Sequence, residues 1–232
     1  MPVRALRYKR IYGCSIAEHL IRFLHLVVVL SMFRKMFYLV VAIVICAVAF
    51  AGWKLTARSA YESAEYTVLK SDGSIELRSY PDLMLVTTKM GTRVQGDDGS
   101  FERLFKYISG GNENKQKVAM TTPVFMEPQS ESESTSGQMG FVIPKDVAQT
   151  SIPDPASDQV NVTERPAGTF VVIRFAGQIT HDSCQQQQST LEAWIQQQGL
   201  QSIGRAEIAG YDPPWTPGPL RRNEILIRIA AE

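Results

Sequence analysis

Ile75-Glu-Leu-Arg-Ser-Tyr-Pro81 and Val160-Asn-Val-Thr-Glu-Arg-Pro166 are written alike, at an offset of 85 residues. Each opens with apolar residues at alternate positions and stops at a proline, as a strand with one wet face should. Beyond each proline lies another β-rich run, 83–90 and 169–175. A helix follows each run. In residues 100–111, Phe101, Leu104, Phe105 and Ile108 recur at i, i+3, i+4, i+7, with Ser100 as N-cap and Gly110-Gly111 as a left-handed stop. In the later copy, Ser183 with Gln186 reads as a capping box, and Leu191, Trp194 and Ile195 form the apolar face before Gly199. Residues 117–126 return as a strand, and 138–143 add another. The offset grows to 89 at Phe105/Trp194 and 91 at Pro123/Pro214, as loop insertions would produce. The expected fold is therefore α+β, a duplicated strand-strand-helix-strand unit. Just upstream, Ser71-Asp-Gly-Ser74 between 66–69 and 75–78 predicts a hairpin.

The segments between these elements read as loops. Residues 128–138 (PQSESESTSGQ) are acidic and serine-rich with nothing to bury, and 144–158 form a connector carrying Pro153 and Pro155. Gly96-Asp-Asp-Gly99 lacks the alternating oxygen ligands of a calcium loop and reads as a turn. The whole chain has 232 residues, 44% hydrophobic and 20% charged, an ordinary globular composition. Its net charge of +1 conceals an asymmetry. Residues 1–60 hold nine Lys/Arg against Glu18 alone, while 61–232 hold 15 basic and 22 acidic side chains. An acidic domain argues against a nucleic-acid partner.

Residues 36–53 (MFYLVVAIVICAVAFAGW) contain no charge over 18 positions, close to the ~20 needed to cross a bilayer. Arg34 and Lys35 precede the run, and Tyr38 and Trp53 lie near its ends. The positive-inside rule then leaves the N-terminus cytoplasmic and the domain, 61–232, exported; in a bacterium that would be the periplasm. Residues 1–35 form a basic leader, with a weaker apolar stretch at 20–30. The alternative is a secreted domain released from a cleaved signal peptide at Ala47-Val-Ala49 or Ala49-Phe-Ala51, with Met32 or Met36 as a more ordinary start. Cys184 is the domain's single cysteine, so no intramolecular disulfide and no C-x-x-C site is expected there.

Catalytic motifs are sparse. His181 is the domain's single histidine and reads as a solvated loop residue; Cys184 has no general base assigned beside it. The chain has no Gly-x-Ser-x-Gly elbow, P-loop or His-Glu-x-x-His. A binding protein, not an enzyme, is the expectation. Met120-Thr121-Thr122-Pro123 and Tyr211-Asp-Pro-Pro-Trp215-Thr-Pro-Gly-Pro219 take corresponding places in the two halves. The second segment has two aromatics and four prolines, and the prolines lower the entropy lost in fixing its shape. Followed by Arg221-Arg222, it offers an apolar face beside two cations, suited to a planar hydrophobic ligand carrying carboxylates. The same residues also suit a loop in which Trp215 caps the core and the arginines are solvated.

Phe105-Lys-Tyr-Ile-Ser-Gly-Gly-Asn112, Lys117-Val-Ala-Met-Thr-Thr-Pro-Val124, Tyr211-Asp-Pro-Pro-Trp-Thr-Pro217 and Leu220-Arg-Arg-Asn-Glu224 closely resemble the SOUL haem-binding protein family. Ile75–Pro81 and Thr169-Phe-Val-Val-Ile-Arg-Phe-Ala-Gly177 do so as well, and the matches run in order from about residue 65 to 229. The resemblance implies a distorted antiparallel β-barrel flanked by two helices, similar to bacterial effector-binding domains. It also implies non-covalent binding of haem b or another porphyrin, with Met120, Thr121, Pro123, Tyr211, Trp215, Arg221 and Arg222 as the contacting set. Some animal members carry a histidine proposed as axial ligand; the matching position here is Ser79, a poor iron ligand. His181 is then the first candidate for the metal, with Met120, Tyr211 and Tyr80 behind it. The competing expectations are a lipid-like amphipathic ligand, or a ligand-free envelope interaction domain.

Overall fold

The computed structural model describes residues 9–55, 61–91, 98–127, 136–213 and 215–230. Two compact units divide at Ala57/Arg58. The first contains one helix, α1 (Lys9–Leu55), 47 residues long. It is continuous through both apolar runs, and its stretch Leu20–Phe50 is long and apolar enough to cross a membrane, with mean hydropathy 2.1 and none of that window buried. At ~1.5 Å per residue, the 18 uncharged residues after Lys35 extend roughly 27 Å, close to the ~30 Å bilayer core.

The second unit contains, in order, β1 (Glu62–Ser63), β2 (Thr67–Asp72), β3 (Ile75–Tyr80), β4 (Leu83–Met90), α2 (Ser100–Ile108), β5 (Thr121–Thr122), β6 (Val124–Glu127), β7 (Gly137–Val142) and α3 (Lys145–Thr150). After these come β8 (Val160–Arg165), β9 (Gly168–Phe175), α4 (His181–Gln197), β10 (Glu207–Gly210) and β11 (Asn223–Arg228). Nine strands form one sheet in the order β2-β3-β9-β11-β10-β6-β7-β4-β8, all neighbours antiparallel. Exchanging β3 with β8, β4 with β9, β6 with β10 and β7 with β11 returns the same order, with only β2 added outside. The order is open among the described residues: β2 and β8 are its edges, so no closed barrel is formed by these hydrogen bonds. Both edges are blunted, β2 by a bulge at Val68/Lys70 and by exposed Lys70 and Asp72, β8 by exposed Asn161 and Glu164.

The hairpin forms where the sequence places it, between β2 and β3, with Gly73 at φ 60° in the left-handed region its turn requires. Other boundaries differ from expectation. α2 is capped by Gly99 and begins at Ser100, whose amide is held by Asp98 Oδ1 at 3.0 Å; Gly110, at φ 102°, ends it. α4 starts earlier than read, because Thr180 caps it and Ser183 closes the box, displacing the Ser183/Gln186 pair. The strand expected over 117–126 forms only from Thr121 onward and is interrupted at Pro123, which has no amide to donate. Within the 144–158 connector a helical turn, α3, intervenes. The 128–138 loop lies outside the described residues except for its last positions.

Alternation along the strands loads both sheet faces. On β9, Val171 and Ile173 point to the face covered by α2 and α4, where Leu104, Ile108, Leu191 and Ile195 complete the main core. Phe170 and Val172 point the other way and join Tyr80, Leu85, Phe125, Tyr211 and Leu226 in a second core that contains no helical residue.

Candidate ligand-binding site

One row of paired residues crosses the middle of the sheet: Phe175 opposite Asn223, Asn223 opposite Gly210, Gly210 opposite Val124, Val124 opposite Phe141. Here β9 and β10 end, β6 and β11 begin, and β7 is one residue from its end. The row is therefore one rim of the sheet. Every residue that the sequence marks for binding lies in a segment leaving it: Met120, Thr121 and Pro123 before β6; Tyr211, Trp215, Arg221 and Arg222 between β10 and β11; His181 after β9. The first two segments are not symmetric copies, contrary to the expected correspondence. Met120–Pro123 precedes its strand and Tyr211–Pro219 follows its strand, and they meet because β6 and β10 run antiparallel.

The sheet separates the members of this set. Thr121 is buried, its hydroxyl donating to the Val142 carbonyl at 2.5 Å, and β1 pairs in parallel over Thr121 and Thr122. Pro123 is buried and Met120 half-buried against the main core. Tyr211 and Arg222 turn to the face away from the helices and end on Glu224. That carboxylate is fully buried (0% exposed) and accepts five hydrogen bonds: from Arg78 at 2.7 and 3.1 Å, from Arg222 at 3.0 and 2.6 Å, and from the Tyr211 hydroxyl at 2.9 Å. Arg78 also donates to Glu76 at 2.7 Å and to Tyr80 at 3.1 Å, and lies over the Tyr66 ring. The Arg222 guanidinium lies 4.0 Å from the Tyr211 ring centroid.

Burial alone would raise the Glu224 pKa, but the hydrogen bonds and charge of Arg78, then of Arg222, outweigh it and hold the carboxyl below its usual range. Burial, and next the Glu224 charge, push the Tyr211 hydroxyl far up, so it stays a neutral donor. Burial pushes Tyr80 up to about 12. This network fixes the start and finish of the loop between β10 and β11. Sequence reasoning missed Glu224 and Arg78, although a signal exists: both are charged residues within β-rich runs, where burial demands a partner.

Of the remaining members Trp215 and His181 are exposed and Arg221 is half-buried. Trp215 is 68% exposed and Leu220 59% exposed, on a loop closed by the 3-10 turn Gly218–Leu220. Trp215 therefore does not cap the core. Arg221 donates Nε to the Thr216 carbonyl at 2.8 Å, which ties its stem across the loop. The loop rests on the segment leading into α4: the Gly177 amide donates to Gly218 at 3.0 Å, and Asn223 Nδ2 donates to the Gly177 carbonyl at 2.9 Å. His181 opens α4 just beyond and is exposed. Among the described residues, no three His, Cys, Asp or Glu side chains gather as a metal site. Cys184 is buried, and burial raises its thiol to about 11, the wrong direction for a nucleophile.

Residues 61–228 match the family described as SOUL heme-binding protein. Heme-binding protein 1 of Xenopus tropicalis is 26% identical over 163 residues, covering 67% of this chain and 84% of the relative. Heme-binding protein 2 of Homo sapiens is 32% identical over 150 residues, covering 61% of this chain and 72% of the relative. Among solved structures, the EcmrR–DNA complex superposes at TM-score 0.51 and 13% identity, over 68% of this chain and 57% of that one. A hydrolase from Listeria innocua gives 0.50 at 10% identity, over 70% of this chain and 94% of that one. At such identities the two structures speak for the α+β fold alone. The family match spans nearly all of the second unit and runs through both rim segments: the chain belongs to the SOUL heme-binding protein family.

Proposed function

We propose that the domain binds haem or a related tetrapyrrole without covalent attachment, at the rim where Trp215 and Leu220 stand exposed. The observation that carries this reading is the family match over 61–228, together with two relatives named as heme-binding proteins. The rim suits the group: an exposed indole and a leucine offer the apolar contact a macrocycle needs, and Arg221 supplies a cation for its carboxylates. Arg222 serves differently: with Tyr211 it ties the ends of the loop to Glu224. His181 is the candidate iron ligand, and iron coordination is what it would add to binding by the ring face. The chemistry is binding, for buffering, transfer or scavenging. α1 would hold the domain at a membrane, with the basic N-terminal side in the cytoplasm and the domain exported.

Both cores lie within 64–229, so residues 58–232 carry their own packed interior. Haemin titrated into this unit should give a saturable, one-to-one shift of the Soret band at micromolar concentration or tighter, with protoporphyrin IX binding in parallel. A response that fails to saturate contradicts the proposal. A shift lost in His181→Ala, with protoporphyrin affinity retained, would support the histidine's role on iron.

A further inference from the structure

Residues 61–66, which open the second unit, form a strap whose contacts reach both segments assigned to the ligand rim. At one end β1 pairs in parallel with β5, Glu62 opposite Thr121 and Ser63 opposite Thr122, in a two-stranded sheet separate from the nine-stranded one. The Ala64 amide donates to the Thr122 carbonyl at 2.8 Å. Glu62 Oε1 accepts from the Lys145 amide at 3.0 Å, where α3 begins. At the other end the chain enters β2, with Thr67 opposite Ser79. Between these ends the strap lies on the helix-free face, where Ala64 is buried and Tyr66 packs against the second core.

Tyr66 ties the strap to the charge network beneath it. Its ring centroid lies 4.1 Å from the Arg78 guanidinium and 5.3 Å from the Tyr80 ring. Its hydroxyl accepts from Arg222 NH2 at 3.4 Å, a long bond, so the ring is the stronger contact. Beneath that ring Arg78 is 1% exposed. A cover that excludes water strengthens the ion pair it covers. Arg78, Arg222 and Tyr211 meet on Glu224 and fix the ends of the loop between β10 and β11. The Tyr66 ring therefore acts on Trp215, Leu220 and Arg221 through this network, while β1 acts on Thr121 and Thr122 directly.

The strap is also lightly held. Tyr61, Glu62, Ser63 and Glu65 are exposed, and only Ala64 and Tyr66 sink into the surface. A segment with so few buried groups opens more readily than the sheet it lies on, so its docking is an equilibrium that a ligand on the rim can shift.

On the reading that the rim takes the tetrapyrrole, we propose that this strap is a positioning element for the site, with Tyr66 as its positioning residue. Docked, it holds both rim segments in their binding arrangement, and bound ligand in turn holds the strap docked. By linkage the two effects share one factor.

The test follows amide exchange by NMR in residues 58–232, free and saturated with protoporphyrin IX, which carries no paramagnetic iron. Binding should slow exchange of the Ala64 amide at least about fivefold, and more than that of the Gly199 amide, which closes the end of α4. A strap that served stability alone would leave Ala64 no more responsive than Gly199. Tyr66→Ala should weaken protoporphyrin IX by at least about fivefold in a chain still folded at the titration temperature. Tyr66→Phe, which keeps the ring over Arg78, should bind as the wild type does. If Tyr66→Ala does not fold, the exchange measurement on the unaltered domain decides alone. Saturable binding with an unmoved Ala64 amide, or with wild-type affinity in folded Tyr66→Ala, overturns the strap's role and leaves the rim reading standing. Absence of saturable binding to the unaltered domain overturns both.

Discussion

Glu224 shows how one residue can organise a site from which no ligand is touched. Its carboxylate neutralises two arginines and orients Tyr211, so its removal leaves the buried Arg78 and the half-buried Arg222 facing a neutral group. Glu224→Gln should cost about 3–5 kcal/mol in urea unfolding, as breaking a buried ion pair usually does. The pH dependence has a definite sign. Because the folded pKa lies below the ordinary 4.5, the carboxylate's contribution is complete above that value and is lost as pH falls through the folded pKa. Wild-type melting temperature should therefore drop more steeply below about pH 4.5 than that of Glu224→Gln. Parallel curves would contradict it. Arg221 and Arg222 should separate in the same way. Arg221→Ala should weaken protoporphyrin IX more than its dimethyl ester, whereas Arg222→Ala should chiefly lower stability; equal affinity for acid and ester would remove the role of Arg221. Sequence alone named both arginines, because their adjacency to an aromatic loop is visible. It did not separate their roles, since which of two neighbours turns inward depends on register with Glu224, a contact made through the fold.

At the scale of elements, the 3.6-residue period of α2 located its face but not its depth. Leu104 is fully buried, while Phe105, counted in the same apolar set, is 50% exposed and stacks on Phe101 at 6.0 Å between centroids. Leu104→Ala should therefore cost about 2–5 kcal/mol, and Phe105→Ala less than about 1 kcal/mol, measured by chemical denaturation; comparable losses would show that the helix lies deeper than described. Element type was legible wherever patterning and turn chemistry agreed, as at Asp72-Gly73 and in α4. Boundaries slipped where a local alternative existed. Thr180 out-competed Ser183 as cap because both can accept the same class of amide bond, and Pro123 broke a run whose residue types otherwise favour a strand. The short helix α3 was missed because it is under two turns long and packs only Val147 and Ala148, in part, against the main core, too few residues to show a period.

For the molecule as a whole, the relation between 75–81 and 160–166 was the informative feature. The strands it predicts, β3 and β8, take equivalent places in the sheet order, one beside β9 and the other beside β4. The same reasoning misplaced the two rim segments, because proline-to-proline matching carries no information about which side of a strand a loop lies on. α1 was legible through hydropathy, although its helix continues well before the uncharged run. If it is an anchor, the full chain should remain with membranes through alkaline carbonate washing while residues 58–232 remain in solution; release of the full chain would contradict anchoring. Whether the exposed rim takes the tetrapyrrole is read from the haemin and protoporphyrin affinity of Trp215→Ala/Leu220→Ala beside that of the wild type. Both side chains are largely exposed, so the melting temperature should hold, while loss of their apolar contact should weaken both ligands at least about tenfold. Wild-type affinity in the folded double variant would place the ligand elsewhere on the domain.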